Sequence, residues 1–250
     1  MEIYQGALLI LAGIAAGFIN TVAGGGSLLT LPLLIFMGLP PAMANGTNRV
    51  ALVIQNMSAI AGFKSKGISS FKYASILGAT AFVGAIVGAK ISVELSGELF
   101  NRILSVVIVL VVASVIFNPM KNAGQQIERL TTKHQVIGAI TFFFVGIYGG
   151  FIQAGVGFII MAALTFVNRF SLVKTNSIKV FVVLIYTFAA LGVFIYSGMV
   201  NWLFGLTLAV GNGTGAWIAS RMSVDKGDKF VKGFLIFAAL GMAVMLWVRT

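Results

Sequence analysis

The chain lacks the residues on which most metal sites and many catalytic sites depend. It has no cysteine, one histidine and six acidic residues among 250. Without cysteine there is no thiol catalysis, thiolate metal site or disulfide, and one histidine leaves no histidine-based metal cluster. Charged residues make up 9% of the chain, whereas soluble domains carry roughly 25%. We therefore expect neither a soluble globular protein nor an enzyme, and we expect no cofactor.

Long apolar stretches dominate the sequence instead. The chain is 59% hydrophobic, with a mean hydropathy of +1.03. At about 20 residues per spanning helix, such a chain supplies about eight to ten spans and no separate soluble domain. The apolar stretches cover residues 3–23, 27–39, 50–63, 73–91, 103–117, 135–152, 156–167, 180–196, 202–220 and 234–248. The sequence thus predicts an all-α polytopic membrane protein of the cytoplasmic (plasma) membrane. Its first helix is expected to be retained, because no Lys/Arg-rich start precedes it.

Two of the apolar stretches are short and follow glycine-rich breaks. Three glycines at 24–26 precede the stretch 27–39, and Gly155-Val156-Gly157 opens the stretch 156–167. The first of these stretches would rise only about 20 Å as a helix, which barely crosses the hydrocarbon. Broken helices occur at membrane depth where protein or a water-filled cavity satisfies the freed backbone groups. Both breaks are therefore candidates for a site inside the membrane.

The order of glycines and charges repeats along the chain at an offset of 130 or 131 residues. The matching pairs include Gly26 and Gly157, Arg49 and Lys179, and Lys90 and Arg221. Such a pattern predicts two pseudo-symmetric repeats, the first over residues 1–125 and the second over residues 126–250. Each repeat would consist of a glycine-broken helix hairpin plus three spanning helices.

Basic residues favour an inverted relation between the two repeats. If each broken region is a hairpin, 13 of the 17 basic residues fall on one side of the membrane. Lysine and arginine concentrate in cytoplasmic loops, so both termini are expected to be extracytoplasmic. The count places Lys179 in a loop, and Lys90 and Arg221 at the interface. Membrane orientation thereby explains the net charge of +11 better than a nucleic-acid partner does.

The residues around the first break are typical of an anion-binding device. Successive glycines let backbone N–H groups turn toward one point, and the N-terminus of a half-helix adds about half a positive charge. Asn20 precedes the glycines, and Ser27 follows them where it would cap the next helix or contact a ligand. The alternative is that the glycines only allow helices to pack closely.

A polar stripe follows the first short stretch. Helical spacing puts Asn45, Asn48, Arg49, Gln55 and Asn56 on one face, and residues 175–179 echo the pattern in the second repeat. The stripe belongs either to an anion path or to interhelical hydrogen bonding, with Arg49 snorkelling to the interface. Residues 212–215 are expected to break a span, where they would either line a path or simply pack. The candidate anion-binding residues are Asn20, Gly24, Gly25, Gly26, Ser27, Thr47, Asn48, Arg49, Gln55, Gln153, Gly155, Gly157, Asn176, Ser177 and Lys179.

The six acidic residues all lie in or beside predicted loops. A carboxylate at mid-membrane marks proton relays and cation sites in many pumps and transporters. Its absence argues against a proton relay or a carboxylate-lined cation site.

The run Gly17 to Ser27, then Pro32, then Pro40-Pro41, then Ala44 to Asn48 resembles the TauE/SafE sulfite exporter family. The resemblance covers essentially the full length. The second copy of the pattern differs, with Gly155-Val156-Gly157 in place of the glycine triplet. The resemblance implies a permease of small sulfur-containing anions such as sulfite, thiosulfate or an organosulfonate.

These observations predict a secondary transporter that works by alternating access around the two breaks. With the cell interior negative, outward movement of each negative charge gains about 2.3 kcal/mol per 100 mV, which favours export. The expected partners are the anion and the lipid bilayer, and the sequence leaves the oligomeric state open. The alternatives are an anion channel, a carrier of a small carboxylate, metal ion or other solute, and a membrane assembly protein that conducts nothing.

Overall fold

The computed structural model describes residues 2–68, 71–116 and 128–249, and these residues form helices and short connections. The helices are α1 (Ile3–Val22), α2 (Ser27–Phe36), α3 (Pro41–Ser65), α4 (Phe71–Glu94), α5 (Gly97–Ile116), α6 (Thr132–Phe151), α7 (Val156–Ala163), α8 (Leu172–Tyr196) and α9 (Trp202–Arg249). A π-helical turn, Leu164–Asn168, extends α7. Non-helical backbone at Gly227 divides α9 into two segments. The predicted all-α polytopic fold is confirmed.

Within the described residues, four helical spans are long and apolar enough to cross a membrane: Ile3–Val22, Lys72–Glu94, Thr132–Phe151 and Leu172–Tyr196. Helix lengths also recur along the chain. α1 and α6 have 20 residues each, and α3 and α8 have 25 each. A short apolar helix separates α1 from α3, and another separates α6 from α8. The division into two inverted repeats stays a prediction. Its boundary at 125/126, like Lys121 of the charge count, lies outside the described residues.

Two helices begin earlier than the apolar pattern predicts. α3 begins at Pro41 rather than near residue 50, and α8 begins at Leu172 rather than near residue 180. Pro41 occupies the first helical position, where its missing N–H is not needed. At the start of α8, the Asp228 carboxylate accepts the N–H groups of Leu172 and Val173 at 3.1 and 2.9 Å. The polar stretches at 45–49 and 175–179 are therefore helical and buried.

Close glycine contacts join α1 to α9. Gly13 and Gly17 of α1 face Gly211 and Gly215 of α9, and a Cβ on any of the four would overlap or crowd the backbone of the other helix. Such spacing lets membrane helices approach closely. The prediction of a break at residues 212–215 is wrong, because α9 is helical through them and its glycines allow close packing.

The same device joins α4 to α6. Gly84 and Gly88 face Gly146 and Gly150, again with no room for a Cβ at any of the four. α1 packs mainly against α9, and α6 mainly against α4. Each proposed repeat therefore packs its first helix against a helix of the other repeat, and the core between the two pairs holds α2, α3, α7 and α8.

Candidate functional site

The two glycine-rich breaks meet in direct backbone contact. A Cβ on Gly24 would overlap Gly157, and a Cβ on Gly157 would overlap Gly24. Gly24 also has a φ of 93°, in the left-handed region that favours glycine. A Cβ on Gly25 would lie 2.7 Å from the ring of Phe158. A Cβ does not fit at position 24 or 157, because the backbone of the other break occupies its place.

The first break turns α2 back along the end of α1. The N–H of Gly24 bonds to the carbonyl of Ile19 at 3.1 Å, which closes the last turn of α1. Gly26 lies against the Ala16 carbonyl, where no Cβ fits. The carbonyls of Gly25 and Gly26 then accept the N–H groups of the first turn of α2. The N-terminus of α2 therefore lies at the junction.

The second break follows α6 and contains a strained polar residue. Gln153 has a φ of 63°, a conformation that is uncommon for residues other than glycine and often marks functional sites. Its side chain is buried and faces the hydroxyl of Tyr186 in α8. Gly155, with a φ of 70°, is the residue from which α7 begins. The second break thus places a buried amide beside a helix N-terminus.

Arg49 of α3 is fully buried at the C-terminal end of α6. Its guanidinium donates to the carbonyls of Gly149 at 3.1 Å and Gly150 at 2.6 Å, and to Asn45 Oδ1 at 3.3 Å. The Cζ atom lies 4.9 Å from the centre of the Phe194 ring. Helix C-termini present unpaired carbonyls and about half a negative charge. Arg49 therefore does not snorkel to the interface.

Lys179 of α8 occupies the corresponding place at the end of α1. Its Nζ donates to the carbonyls of Asn20 at 3.0 Å and Thr21 at 2.9 Å, and to Asn176 Oδ1 at 2.7 Å. Three oxygen acceptors match the three donors of a charged ammonium group. Lys179 is thus a buried cation and not a loop residue. Setting Lys179 and Arg49 aside removes one residue from each side of the charge count and leaves its direction unchanged.

No carboxylate balances these two cations. Five of the six acidic residues are exposed, and the sixth, Asp228, is half-buried at the start of α8. Arg49 and Lys179 are the buried charged side chains of the described residues. Each faces an asparagine oxygen and the partial negative charge of a helix end, while α2 and α7 point positive N-termini into the same region. The interior around the breaks is therefore electropositive.

Neutral donors without partners lie beside the first break. Ser27 Oγ and Asn48 Nδ2 are buried and unpaired among the described residues. Thr30 Oγ1 donates to Asn48 Oδ1 at 2.8 Å, which joins α2 to α3. Ser27 is one helical turn before Thr30, so both lie on the face of α2 that contacts α3. The hydroxyl of Tyr186 in α8 is a further buried polar group, and it faces the side chain of Gln153.

Other candidate residues already have partners. Thr47 Oγ1 accepts the N–H of Asn201 at 2.9 Å and so ties α3 to the start of α9. Gln55 Oε1 accepts from Asn20 Nδ2 at 3.3 Å and from Asn212 Nδ2 at 3.1 Å. Asn20 of this amide cluster lies about one helical turn before Gly24.

The second repeat's candidates are also buried. Asn176 Nδ2 donates to the carbonyl of Val22 at 3.0 Å, and Ser177 is buried in α8. The candidate anion-binding residues predicted from the sequence do not include Asn45, Thr30 or Tyr186. The offset of 131 between Asn45 and Asn176 and the spacing of one turn between Ser27 and Thr30 were the available signals.

The chain is similar to known membrane proteins along nearly its whole length. The family model described as "Sulfite exporter TauE/SafE" matches residues 9–246. The "Probable membrane transporter protein ORF9" of a Sinorhizobium species is 27% identical over 96% of this chain and 91% of its own length. A "Probable membrane transporter protein" of Haemophilus influenzae is 26% identical over 96% and 93%. The "Probable membrane transporter protein YfcA" of Escherichia coli K12 is 27% identical over 96% and 88%. No solved structure matches the chain.

Proposed function

The chain belongs to the sulfite exporter TauE/SafE family, and on that premise we propose that it exports a small sulfur-containing anion across the cytoplasmic membrane. Membrane transport is the activity that its family and its relatives' names share. The proposal adds the substrate class, the direction and the site. It also includes both termini lying outside the cell.

The observation that carries the proposal is a buried positive interior without a carboxylate. Arg49 and Lys179 lie at the breaks with no acidic residue among the buried side chains. In a low-dielectric interior, fixed positive charge attracts anions and disfavours cations. Ser27 and Asn48 add unpaired donors, which an anion's oxygen atoms accept.

In the proposed mechanism, the anion binds beside the junction of Gly24 and Gly157. Ser27 Oγ and Asn48 Nδ2 donate to it, and the N-terminus of α2 adds the positive end of its helix dipole. The two cations set the local potential from the helix ends behind the breaks. Movement of the two repeats against each other then exposes the site to one side of the membrane at a time.

Export follows from the charge of the substrate. Each negative charge that leaves a cell with a negative interior gains about 2.3 kcal/mol per 100 mV, so no coupled proton is needed. Uptake into proteoliposomes should accordingly rise when the lumen is made positive.

The test uses purified protein in liposomes with an inside-positive potential. Labelled sulfite and thiosulfate are the probes, with acetate and chloride as comparison anions. We expect saturable, potential-driven uptake of at least one sulfur anion and a raised KM in Ser27→Ala. Thr214→Ala is the matched control, because Thr214 is exposed and its hydroxyl bonds within its own helix. Equal rates at zero and inside-positive potential, or no uptake of either sulfur anion by folded protein, would contradict the proposal.

A further inference from the structure

The two buried cations hold helix ends that do not belong to their own repeat. Arg49 lies in α3 of the proposed first repeat and bonds to the end of α6 in the second, 100 and 101 residues away. Lys179 lies in α8 of the second repeat and bonds to the end of α1 in the first, 159 and 158 residues away. The contacts are therefore crossed between the repeats.

An asparagine completes each contact in the same manner. Asn45 Oδ1 accepts from Arg49, and its Nδ2 donates to the carbonyl of Phe151 at 2.7 Å. Asn176 Oδ1 accepts from Lys179, and its Nδ2 donates to the carbonyl of Val22. The three carbonyls held at each helix end are those of residues 149–151 and 20–22, at a constant offset of 129. Two sites that each join a buried cation and an asparagine to three successive carbonyls at a helix end indicate a shared role.

That role follows from where the helices end. The last carbonyls of a helix have no intrahelical donor, and inside a membrane an unpaired carbonyl is costly. α1 ends just before Gly24, and α6 ends just before Gln153. The donors that satisfy these carbonyls come from α8 and α3 respectively. The backbone path into each break is thus fixed by a side chain of the other repeat.

We propose that Arg49 and Lys179 are reciprocal positioning residues, each of which sets the break in the repeat to which it does not belong. Contact with the transported anion is left to the unpaired donors of Ser27 and Asn48. All three N–H directions of Lys179 are occupied, whereas Arg49 donates from its two terminal nitrogens and keeps one unpaired N–H, at Nε. The consequence for transport is that the two breaks move together, because each is tied to the opposite repeat. Only this consequence rests on the proposed function. The crossed contact itself is testable without any substrate.

Because the chain has no cysteine, one introduced thiol is a specific reporter. Ala23→Cys places it directly before Gly24, and Ala154→Cys places it directly before Gly155. Both alanines are fully buried, so a small membrane-permeant thiol reagent should react slowly with either. Reactivity then measures local opening of one break at a time.

The crossed arrangement predicts a crossed result. Lys179→Met should speed labelling of the thiol of Ala23→Cys by roughly tenfold or more, with less than about a twofold change in Ala154→Cys. Arg49→Met should do the reverse. Lys90→Met and Arg221→Met are matched controls, because these repeat-related basic residues lie outside the buried set, and both thiols should be unaffected by them.

Lys179→Arg and Arg49→Lys keep the charge and most donors, so they should restore much of the protection. Asn176→Ala and Asn45→Ala are milder changes that keep the test usable if a methionine variant fails to fold, and they should give the same crossed pattern at smaller size. Acceleration at the thiol of the same repeat, at both thiols equally or at neither would overturn the proposal.

Transport separates this inference from the proposed function. A positioning role predicts a lower maximal rate in Lys179→Arg and Arg49→Lys with KM changed less than in Ser27→Ala. A raised KM at an unchanged maximal rate would instead identify a direct ligand and overturn the positioning role. A crossed labelling pattern in protein that transports no sulfur anion would reject the proposed function and leave the reciprocal contacts established.

Discussion

The two breaks occupy equivalent places but differ in polarity. The first short helix begins with Ser27 and has Thr30 at its fourth position, whereas the second has Val156 and Ile159 there. Asn20, three residues from the end of α1, joins an amide cluster, while the equivalent Gly149 lies against the ring of Tyr186. Both breaks share a left-handed residue two places after the helix end, Gly24 or Gln153, and the crossed cation. The hydrogen-bond donors for a ligand, however, lie mainly at the first break, which makes the proposed site asymmetric.

The largest effect should come from the contact between the breaks. Gly24→Ala should cost several kcal/mol of stability, because a left-handed conformation and overlap with Gly157 add together. Gly38→Ala should cost only about 1 to 2 kcal/mol, since Gly38 has the same φ of 93° but open space around it. Thermal unfolding in detergent measures both. Equal losses would mean that backbone strain, not the junction, makes Gly24 necessary.

An exchange between the first residues of the two short helices tests the asymmetry directly. Ser27→Val removes a donor from the first break and should raise the KM for the transported anion roughly tenfold, as expected for a lost hydrogen bond to a charged group. Val156→Ser adds a hydroxyl to the second break and should leave KM within about twofold of the wild type. Comparable changes from both substitutions would show that the ligand lies midway between the breaks.

Gln153 offers a sharper comparison of the two turns. Its φ of 63° is left-handed, so Gln153→Gly should be more stable than Gln153→Ala by about 1 kcal/mol. At a helical position the order is reversed, since glycine is less stable than alanine by about 0.5 to 1 kcal/mol. Thermal unfolding of the two variants shows which of them is more stable. A more stable alanine variant would show that the second turn is not held in the left-handed region.

The smallest effect concerns the start of the third helix in each repeat. Proline begins α3, but α8 begins with Leu172 and needs the Asp228 carboxylate for its N–H groups. Asp228→Asn should cost about 0.5 kcal/mol, because one acceptor oxygen remains while the charge at the helix N-terminus is lost. Gly97→Asp, at the equivalent place near Pro41, should change stability by less than this. A loss of stability in Gly97→Asp as large as in Asp228→Asn would mean that the starts of α3 and α8 do not differ in their need for a carboxylate.

Local signals made much of the fold predictable. Apolar length gave the helices, and consecutive glycines gave the positions of both breaks. Helical spacing correctly put Asn45, Asn48, Arg49, Gln55 and Asn56 on one face, and all five are buried. The starts of α3 and α8 were missed because hydropathy cannot distinguish a polar helix with satisfied side chains from a loop.

The partners of the buried cations could not be predicted. A sequence pattern shows that Arg49 shares a face with polar residues, but it does not show which carbonyls lie opposite, and these are about 100 residues away. The choice between a path and simple packing at residues 212–215 was left open for the same reason, since a glycine that breaks a helix and one that admits a neighbouring helix look alike until the neighbour is known. Whether the candidate residues bind an anion stays a prediction.

The packing of α1 against α9 also sets an order of events during synthesis. Val22, the last residue of α1, precedes Trp202, the first residue of α9, by 180 positions. At 5 to 20 residues per second, a ribosome needs roughly 9 to 36 s to cover that interval. During this interval, the glycine face of α1 contacts lipid or a helper protein instead of α9. A messenger truncated before α9 would therefore leave α1 without its partner, so the segment that encodes α9 decides whether α1 reaches its final packing.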